Sequence, residues 1–201
     1  VCAGNTYVDT AFDVDAGESH TFVQFEGRTN LPANCTASAT IEATGNIVAV
    51  VNESFRNDSI PASGQAAVTS SALPDGLATT KISVPLFKDD RFGKRTGLQI
   101  QNVGSVQATN IVATFECQGV ATFTAVSEPQ TVAAGSAVLF YTPSDDAGMF
   151  TVGNPFQTNS VNCAVTITSD QDVVAIANES VVPDGSVEQD NSNYEGFNLT
   201  P

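Results

Sequence analysis

Five sequence landmarks occur twice in the same order along the 201-residue chain. They are a cysteine, an Ala-Gly pair, a phenylalanine, an Asn-Cys pair and a run of the form V-A-x-x-N-E-S. Ordered self-similarity of this kind is typical of duplicated structural units. The first copy places the landmarks at Cys2, Gly17, Phe22, Cys35 and 48–54, and the second at Cys117, Gly135, Phe140, Cys163 and 174–180.

The local sequence predicts an all-β fold. Val, Thr, Ile and Phe recur in short runs between Gly, Pro, Asn and Asp, and helical periodicity is missing. Together with the repeat, this pattern predicts two tandem antiparallel β-sandwich modules. We expect an incomplete first module with its connector at 1–78, a second module at 79–182 and an extended tail at 183–201.

Individual strands follow from alternating or continuously apolar runs. In the first half we expect strands at Tyr7–Phe12, His20–Phe25, Cys35–Glu42 and Asn46–Asn52, with one more near Ala66–Ser70. In the second half we expect them at Thr79–Phe87, Thr96–Val103, Gln107–Cys117, Ala121–Val126, Ala137–Thr142, Cys163–Thr168 and Val173–Asn178.

The two copies differ at their beginnings. Two predicted strands, Thr96–Val103 and Gln107–Phe115, precede the first cysteine of the second copy, whereas the first copy starts at Cys2. We therefore expect the first module to lack its leading strands, either as a shorter sandwich with a disordered tail or as an open edge that a neighbouring copy covers by strand addition. The side chains expected to dock into that neighbour are Tyr194, Phe197 and Leu199.

The four cysteines form an even set in a Ser- and Thr-rich β chain, which predicts two disulfides and an oxidising, extracellular location. Four cysteines allow three connectivities, and the repeat selects Cys2–Cys35 and Cys117–Cys163. A zinc site is disfavoured because there is no C-x-x-C pair and His20 is the one histidine. The chain contains no run of roughly 18 uncharged apolar residues, so no membrane span is predicted.

The formal net charge of −15 excludes partners that are recognised by neutralising phosphates. Nucleic acids and anionic membrane surfaces are therefore not expected as partners. The basic residues Lys88, Arg91, Lys94 and Arg95 cluster where the two predicted modules meet. The remaining acidity suits a soluble protein displayed outside the cell, and selection in a saline habitat is the competing explanation.

No catalytic site is predicted. His20 follows Ser19 but no G-x-S-x-G elbow exists, and neither a P-loop nor a dinucleotide fingerprint occurs. No cofactor is expected. A structural calcium ion, at Asp145 and Asp146 or more weakly at Asp89–Asp90 and Asp170–Asp172, is an alternative to solvated loops. Five N-x-S/T sequons are candidate glycosylation sites, at Asn34, Asn52, Asn57, Asn178 and Asn198.

Several motifs in the second half resemble a repeat of large secreted bacterial surface proteins. The motifs are Val84-Pro85-Leu86-Phe87, Thr96-Gly97-Leu98-Gln99-Ile100-Gln101-Asn102-Val103-Gly104-Ser105, the run 169–179 (SDQDVVAIANE) and Tyr194-Glu195-Gly196-Phe197. The resemblance covers about residues 80–197, and 1–55 through the internal repeat. It implies the Ig-like, cell-adhesion-related β-sandwich class and a structural or adhesive role without enzymatic activity.

These observations favour a secreted, non-enzymatic building block of an extracellular filament, pilus-like fibre or surface layer. Copies would join head-to-tail into a homopolymer, with strand donation as one route. The alternative is a monomeric adhesin or carbohydrate-binding module. The chain has no Trp and only 3 Tyr, so it has few of the aromatic rings on which a sugar could stack. The sequence names neither a host surface nor a glycan ligand.

Overall fold

The computed structural model describes residues 6–24, 37–55, 66–74, 76–141, 149–150, 155–156, 160–181 and 192–199. These residues form β-strands and no helix, so the all-β prediction is confirmed. All of the strand pairs that they form are antiparallel. The strands are β1 (Val50–Phe55), β2 (Ala66–Ser71), β3 (Thr79–Asp89), β4 (Lys94–Asn102), β5 (Ala108–Gly119), β6 (Phe123–Val126), β7 (Gln130–Val132), β8 (Ala137–Tyr141), β9 (Val161–Val181), β10 (Ser192–Glu195) and β11 (Phe197–Asn198).

Strand β9 organises the sheets. Its first half, 161–168, pairs with β3 on one side and β5 on the other. Its second half, 173–181, pairs with β4 and β10. The β3–β4 hairpin contacts both ends of β9, since Asp89 lies opposite Val161 and Lys94 lies opposite Val181. Strand β9 must therefore fold back on itself between its two halves.

The fold-back creates two layers around one core. One layer contains β11, β3, the first half of β9 and β5, with β6 and β7 beside β5; the other contains β8, β4, the second half of β9 and β10. Alternate residues of both halves of β9 are buried, as an amphipathic strand in a sandwich requires. The core thus has a contribution from each layer, and β9 contributes to both.

Aromatic rings fill the centre of this core. The Phe115 ring lies 5.1 Å from Phe87 and 5.4 Å from Phe156, measured between centroids, with edge-on geometry in both pairs. Two residues further along β5, Cys117 lies opposite Cys163 of β9, and the two form a disulfide. The predicted Cys117–Cys163 bridge is confirmed.

The strand predictions for the second half largely match the structure. Strands β3, β4, β5, β6 and β8 begin and end within two residues of the predicted bounds, and β2 matches the strand expected near Ala66–Ser70. The two strands predicted at Cys163–Thr168 and Val173–Asn178 are parts of β9, and the three-residue β7 was not predicted. In β3 the register shifts between Val84 and Phe87, which places Pro85 where no ladder N–H is needed.

The strand predictions for the first half are mostly wrong. Residues 7–12, 20–24 and 37–42 are not strands, and β1 starts at Val50, four residues later than expected at Asn46. The rest of the predicted strands His20–Phe25 and Cys35–Glu42 lies outside the described residues. Alternation alone does not make a strand where no second layer covers the apolar face; Phe12, for example, is 81% exposed.

The described residues form one sandwich together with a separate two-stranded sheet of β1 and β2. Two tandem Ig-like modules are thus not confirmed. The internal repeat is nevertheless visible, because β1 and the second half of β9 each pair with a strand that returns antiparallel. Asn52 lies opposite Thr69 in the first copy, and its equivalent Asn178 lies opposite Asn193 in the second.

Removal of the described disulfide should destabilise the sandwich. The sequence separation between Cys117 and Cys163 is 46, and the chain-entropy model assigns closure of such a loop about 4 kcal/mol. We expect the Cys117→Ala/Cys163→Ala variant to lose about that much free energy of unfolding in denaturant titrations followed by circular dichroism. A loss below about 1 kcal/mol would show that this bridge constrains the unfolded chain little.

Candidate assembly site

At one end of the sandwich, an exposed carboxylate holds the bend of β9 against β5. Asp170 accepts hydrogen bonds from the Thr109 hydroxyl at 2.7 Å and the Thr109 amide at 3.0 Å, and the Asn110 amide adds a longer one. The Thr109 hydroxyl is the main reason that the pKa of Asp170 is lowered below its ordinary value. We therefore interpret Asp170 as a structural residue of the bend.

The β4–β5 turn packs against the same bend. The carbonyl of Asp172 accepts hydrogen bonds from the amides of Val103 and Gly104. Asn102 is buried and donates from its side chain to the carbonyl of Val132 at 3.0 Å. A Cβ on Gly104 would lie 2.9 Å from the Oε1 atom of Gln171, so the turn and the bend are in close contact here. The Q-N-V-G-S and S-D-Q-D motifs thus meet in space and serve the scaffold.

At the opposite end, Glu179 anchors the β3–β4 hairpin. Its buried carboxylate lies 2.6 Å from the Lys88 ammonium and 3.0 Å from that of Lys94. Burial by itself raises the pKa of Glu179, but the two lysines outweigh that effect and hold the pKa below its ordinary value. The basic cluster predicted at the meeting point of two modules lies instead in this hairpin of the single sandwich.

The tip of the hairpin exposes an aromatic ring on a residue whose backbone conformation is energetically unfavourable. Phe92 has a φ of 55° and is 75% exposed, with the Arg91 guanidinium carbon 4.4 Å from its ring centroid. Asp90 also has positive φ, at 52°. Non-glycine residues in the left-handed region cost of order 1–3 kcal/mol each and concentrate at functional positions. No sequence pattern marked this tip as a site.

The tail residues lie on their own chain. Tyr194 packs against the core, and its burial, aided by the charge of Glu179 and opposed by Thr96, raises its pKa to about 12. Gly196 lets the tail cross from β9 to β3, because a Cβ there would lie 2.5 Å from Ile82. Phe197 and Leu199, expected in a neighbouring copy, lie beside β3 and remain partly exposed.

A groove of about 220 Å³ opens between the tail and the segment that joins β2 to β3. Its walls are mainly apolar, with Glu195 as the acidic residue. It lies at the bend end of the sandwich, since Val174 and Ala175 of β9 form its floor. The apolar wall residues are Leu73, Leu77 and Phe197.

The first-copy strand presents an exposed apolar face. Ile47 and Val51 are 52% and 50% exposed, whereas their repeat equivalents Val173 and Ala177 are fully buried. Glu53, the equivalent of the buried Glu179, is exposed as well.

The other residues predicted as site residues do not come together into a site in the described part of the chain. Asn52 and Asn178 lie inside strands, and the Asn198 side chain donates to the carbonyl of Leu77. His20 is exposed and contacts Phe22. Within the described ranges, no group of three His, Cys, Asp or Glu could hold a metal ion. Cys2, Cys35, Asn34, Asn57, Asp145 and Asp146 lie outside those ranges.

Comparisons with known proteins identify no family. No family model matches the chain, and no curated protein matches it. The solved structure of Thermotoga maritima 1070 superposes with a TM-score of 0.42 at 14% identity, covering 59% of this chain and 93% of that chain. In the part of the chain that the structure describes, no helix is long and apolar enough to cross a membrane.

The ion pairs of Glu179 generate a pH-dependent prediction. Because folding lowers the pKa of Glu179, its stabilisation is present above the unfolded glutamate pKa of about 4.3 and is lost as the pH falls through the lower folded value. We expect Glu179→Gln to reduce the free energy of unfolding at pH 7 by about 2 kcal/mol, the range of hydrogen bonds to charged groups. The stabilities of wild type and variant should converge in acid.

A matched control is Glu116→Gln, which changes an exposed glutamate of β5. It should leave the free energy of unfolding at pH 7 unchanged within about 0.5 kcal/mol. A constant difference between wild type and Glu179→Gln from pH 7 to pH 2 would refute the electrostatic explanation.

Proposed function

We propose that this chain is a secreted, non-enzymatic structural subunit of an extracellular filament, pilus-like fibre or surface layer, in which copies join head-to-tail. One observation carries the proposal: the same V-A-x-x-N-E-S run is buried in one copy and exposed in the other. A sequence that forms a core strand at 173–181 leaves its apolar face open to solvent at 47–54. Contiguous exposed apolar surface of this kind marks an interaction site.

The hydrogen-bonding edges support the same proposal. The second half of β9 pairs on one edge with β4 and on the other with β10. In the described residues its repeat equivalent β1 pairs with β2 alone. An unpaired edge next to an apolar face is a template for strand addition, in which main-chain hydrogen bonds supply affinity and alternate side chains supply specificity.

Strand donation by the tail remains part of the proposal as an exchange between copies. Tyr194 and Phe197 already pair with β9 and β3 of their own chain. A tail that left these positions could make the same contacts in a neighbouring copy, because the intervening residues 182–191 can span roughly 30 Å when extended. The sandwich it left would then need a tail from another neighbour, which propagates the chain of copies.

The extracellular setting rests on the disulfide and the charge. A disulfide of the sandwich core persists in an oxidising compartment. A net charge of −15 keeps exposed strand edges of neighbouring molecules apart unless a specific contact forms.

The test is microscopy of the purified chain combined with one substitution in each copy. We expect wild type to form fibres in negative stain and to elute as polymers on size exclusion. Val51→Asp places a charge on the exposed face, so it should make fibres much scarcer than those of wild type while leaving the melting temperature of the sandwich unchanged.

Its repeat equivalent, Ala177→Asp, provides the contrast. It buries the same charge in the core and should unfold or strongly destabilise the protein. Isolated wild-type particles at all concentrations would refute the filament. Val51→Asp fibres as abundant as those of wild type would remove the first-copy strand from the interface.

A further inference from the structure

We propose that copies of this chain connect by inserting the β3–β4 hairpin tip of one copy into the groove beside the tail of the next. Phe92 would occupy the apolar part of the groove, between Leu77 and Phe197, and Arg91 would pair with Glu195 at its rim. This inference rests on the proposed filament and assigns its contact to a second copy of this chain. It is separate from the first-copy strand described above.

The two surfaces lie at opposite ends of the sandwich. Strand β4 starts at Lys94 beside the tip and ends at Asn102 beside the bend of β9, a length of roughly 26 Å at the usual rise per residue. The groove lies at the bend, because Val174 forms part of it. A contact between different patches at opposite ends is heterologous, so it repeats without closing and builds a linear assembly.

The groove is large enough for the ring. An apolar cavity of about 150 Å³ in another protein binds benzene, and this groove measures about 220 Å³. The Phe92 ring is available because it is 75% exposed. Leu77 and Phe197 are themselves 45% and 63% exposed. Insertion would therefore remove apolar surface from water on both copies.

Charge favours this orientation of two acidic molecules. The hairpin carries four of the seven Lys and Arg residues. Lys88 and Lys94 pair with Glu179, and Arg95 lies 3.6 Å from Asp90. None of the described ion pairs uses Arg91, which leaves its charge for a second copy. The groove offers the carboxylate of Glu195. A pair of opposite charges, Arg91 of the tip and Glu195 of the groove, is the complementary arrangement that selects one orientation.

The backbone of the tip supports a role beyond folding. Glycine or asparagine adopts a φ of 55° more readily than phenylalanine does. The side chain at this position therefore opposes the local conformation and makes few contacts within its own copy. A residue kept in this state is explained by contacts with a second molecule.

The experiment uses two variants that each lack one half of the contact. Phe92→Gly removes the ring and relieves the backbone, and Leu77→Asp places a charge in the groove. Each variant alone should be monomeric by size exclusion with light scattering, while retaining the wild-type melting temperature or, for Phe92→Gly, exceeding it. Mixed in equal amounts, they should form a dimer, because the first keeps its groove and the second keeps its tip.

Matched controls separate this contact from general surface effects. Val120→Ala changes another exposed apolar residue, and Leu139→Asp charges a leucine that is 41% exposed on β8. Both controls should polymerise like wild type. Arg91→Glu and Glu195→Arg should each weaken assembly at least tenfold, and the double variant should restore it, which keeps the test valid if Leu77→Asp fails to fold.

The failures can be told apart. If wild type is monomeric at all concentrations, both the filament and this contact are wrong. If wild type forms fibres and Phe92→Gly forms them equally well, the filament stands and the tip-in-groove contact is overturned. The contact is also overturned if the two folded monomeric variants do not dimerise when mixed.

Discussion

The fold-back of β9 is the constraint on which the rest of the structure depends. One strand supplies a paired partner to β3 and β5 in one layer and to β4 and β10 in the other. Its bend is held by hydrogen bonds from the Thr109 backbone and side chain to Asp170 and from the β4–β5 turn to Asp172. Because one continuous segment supplies a strand to both layers, the layers are joined at its bend, and separating them would break the hydrogen bonds of the bend and expose the shared core. The motifs around Asn102 and Asp170 are therefore explained by this bend rather than by chemistry at a site.

Glu179 performs the corresponding task at the other end. It joins β9 to the β3–β4 hairpin through Lys88 and Lys94, and it is buried because β10 also covers it. The same glutamate in the first copy, Glu53, is exposed, and the surrounding valines are exposed with it. Two copies of one motif thus reach two different states, and among the described residues the buried copy has strands on both edges, whereas the exposed copy has β2 alone. Whether this motif is buried therefore depends on the strands beside it and not on its own sequence.

This dependence also sets the limit of prediction from sequence. Alternation located β3, β4, β5 and β8 within two residues, since these strands have a second layer to bury their apolar face. The same alternation failed at Tyr7–Phe12, which no layer of the described residues covers. The repeat correctly selected the Cys117–Cys163 disulfide, because each duplicated unit is expected to form its own disulfide between the equivalent cysteines. The hairpin tip and the groove could not be found this way: one depends on a positive φ at Phe92, and the other on residues more than a hundred positions apart.

Acidity and assembly are compatible once the positions of the charges are considered. At physiological ionic strength the Debye length is about 8 Å, so repulsion between two acidic copies acts mainly at close approach. A contact there must remove apolar surface from water and place opposite charges together. The hairpin offers an exposed ring at Phe92 and the neighbouring guanidinium of Arg91, while most of the chain's remaining charge is negative. In the proposed assembly, sideways encounters between acidic faces lack this combination and end-to-end encounters have it, so this charge distribution would favour growth along a single axis.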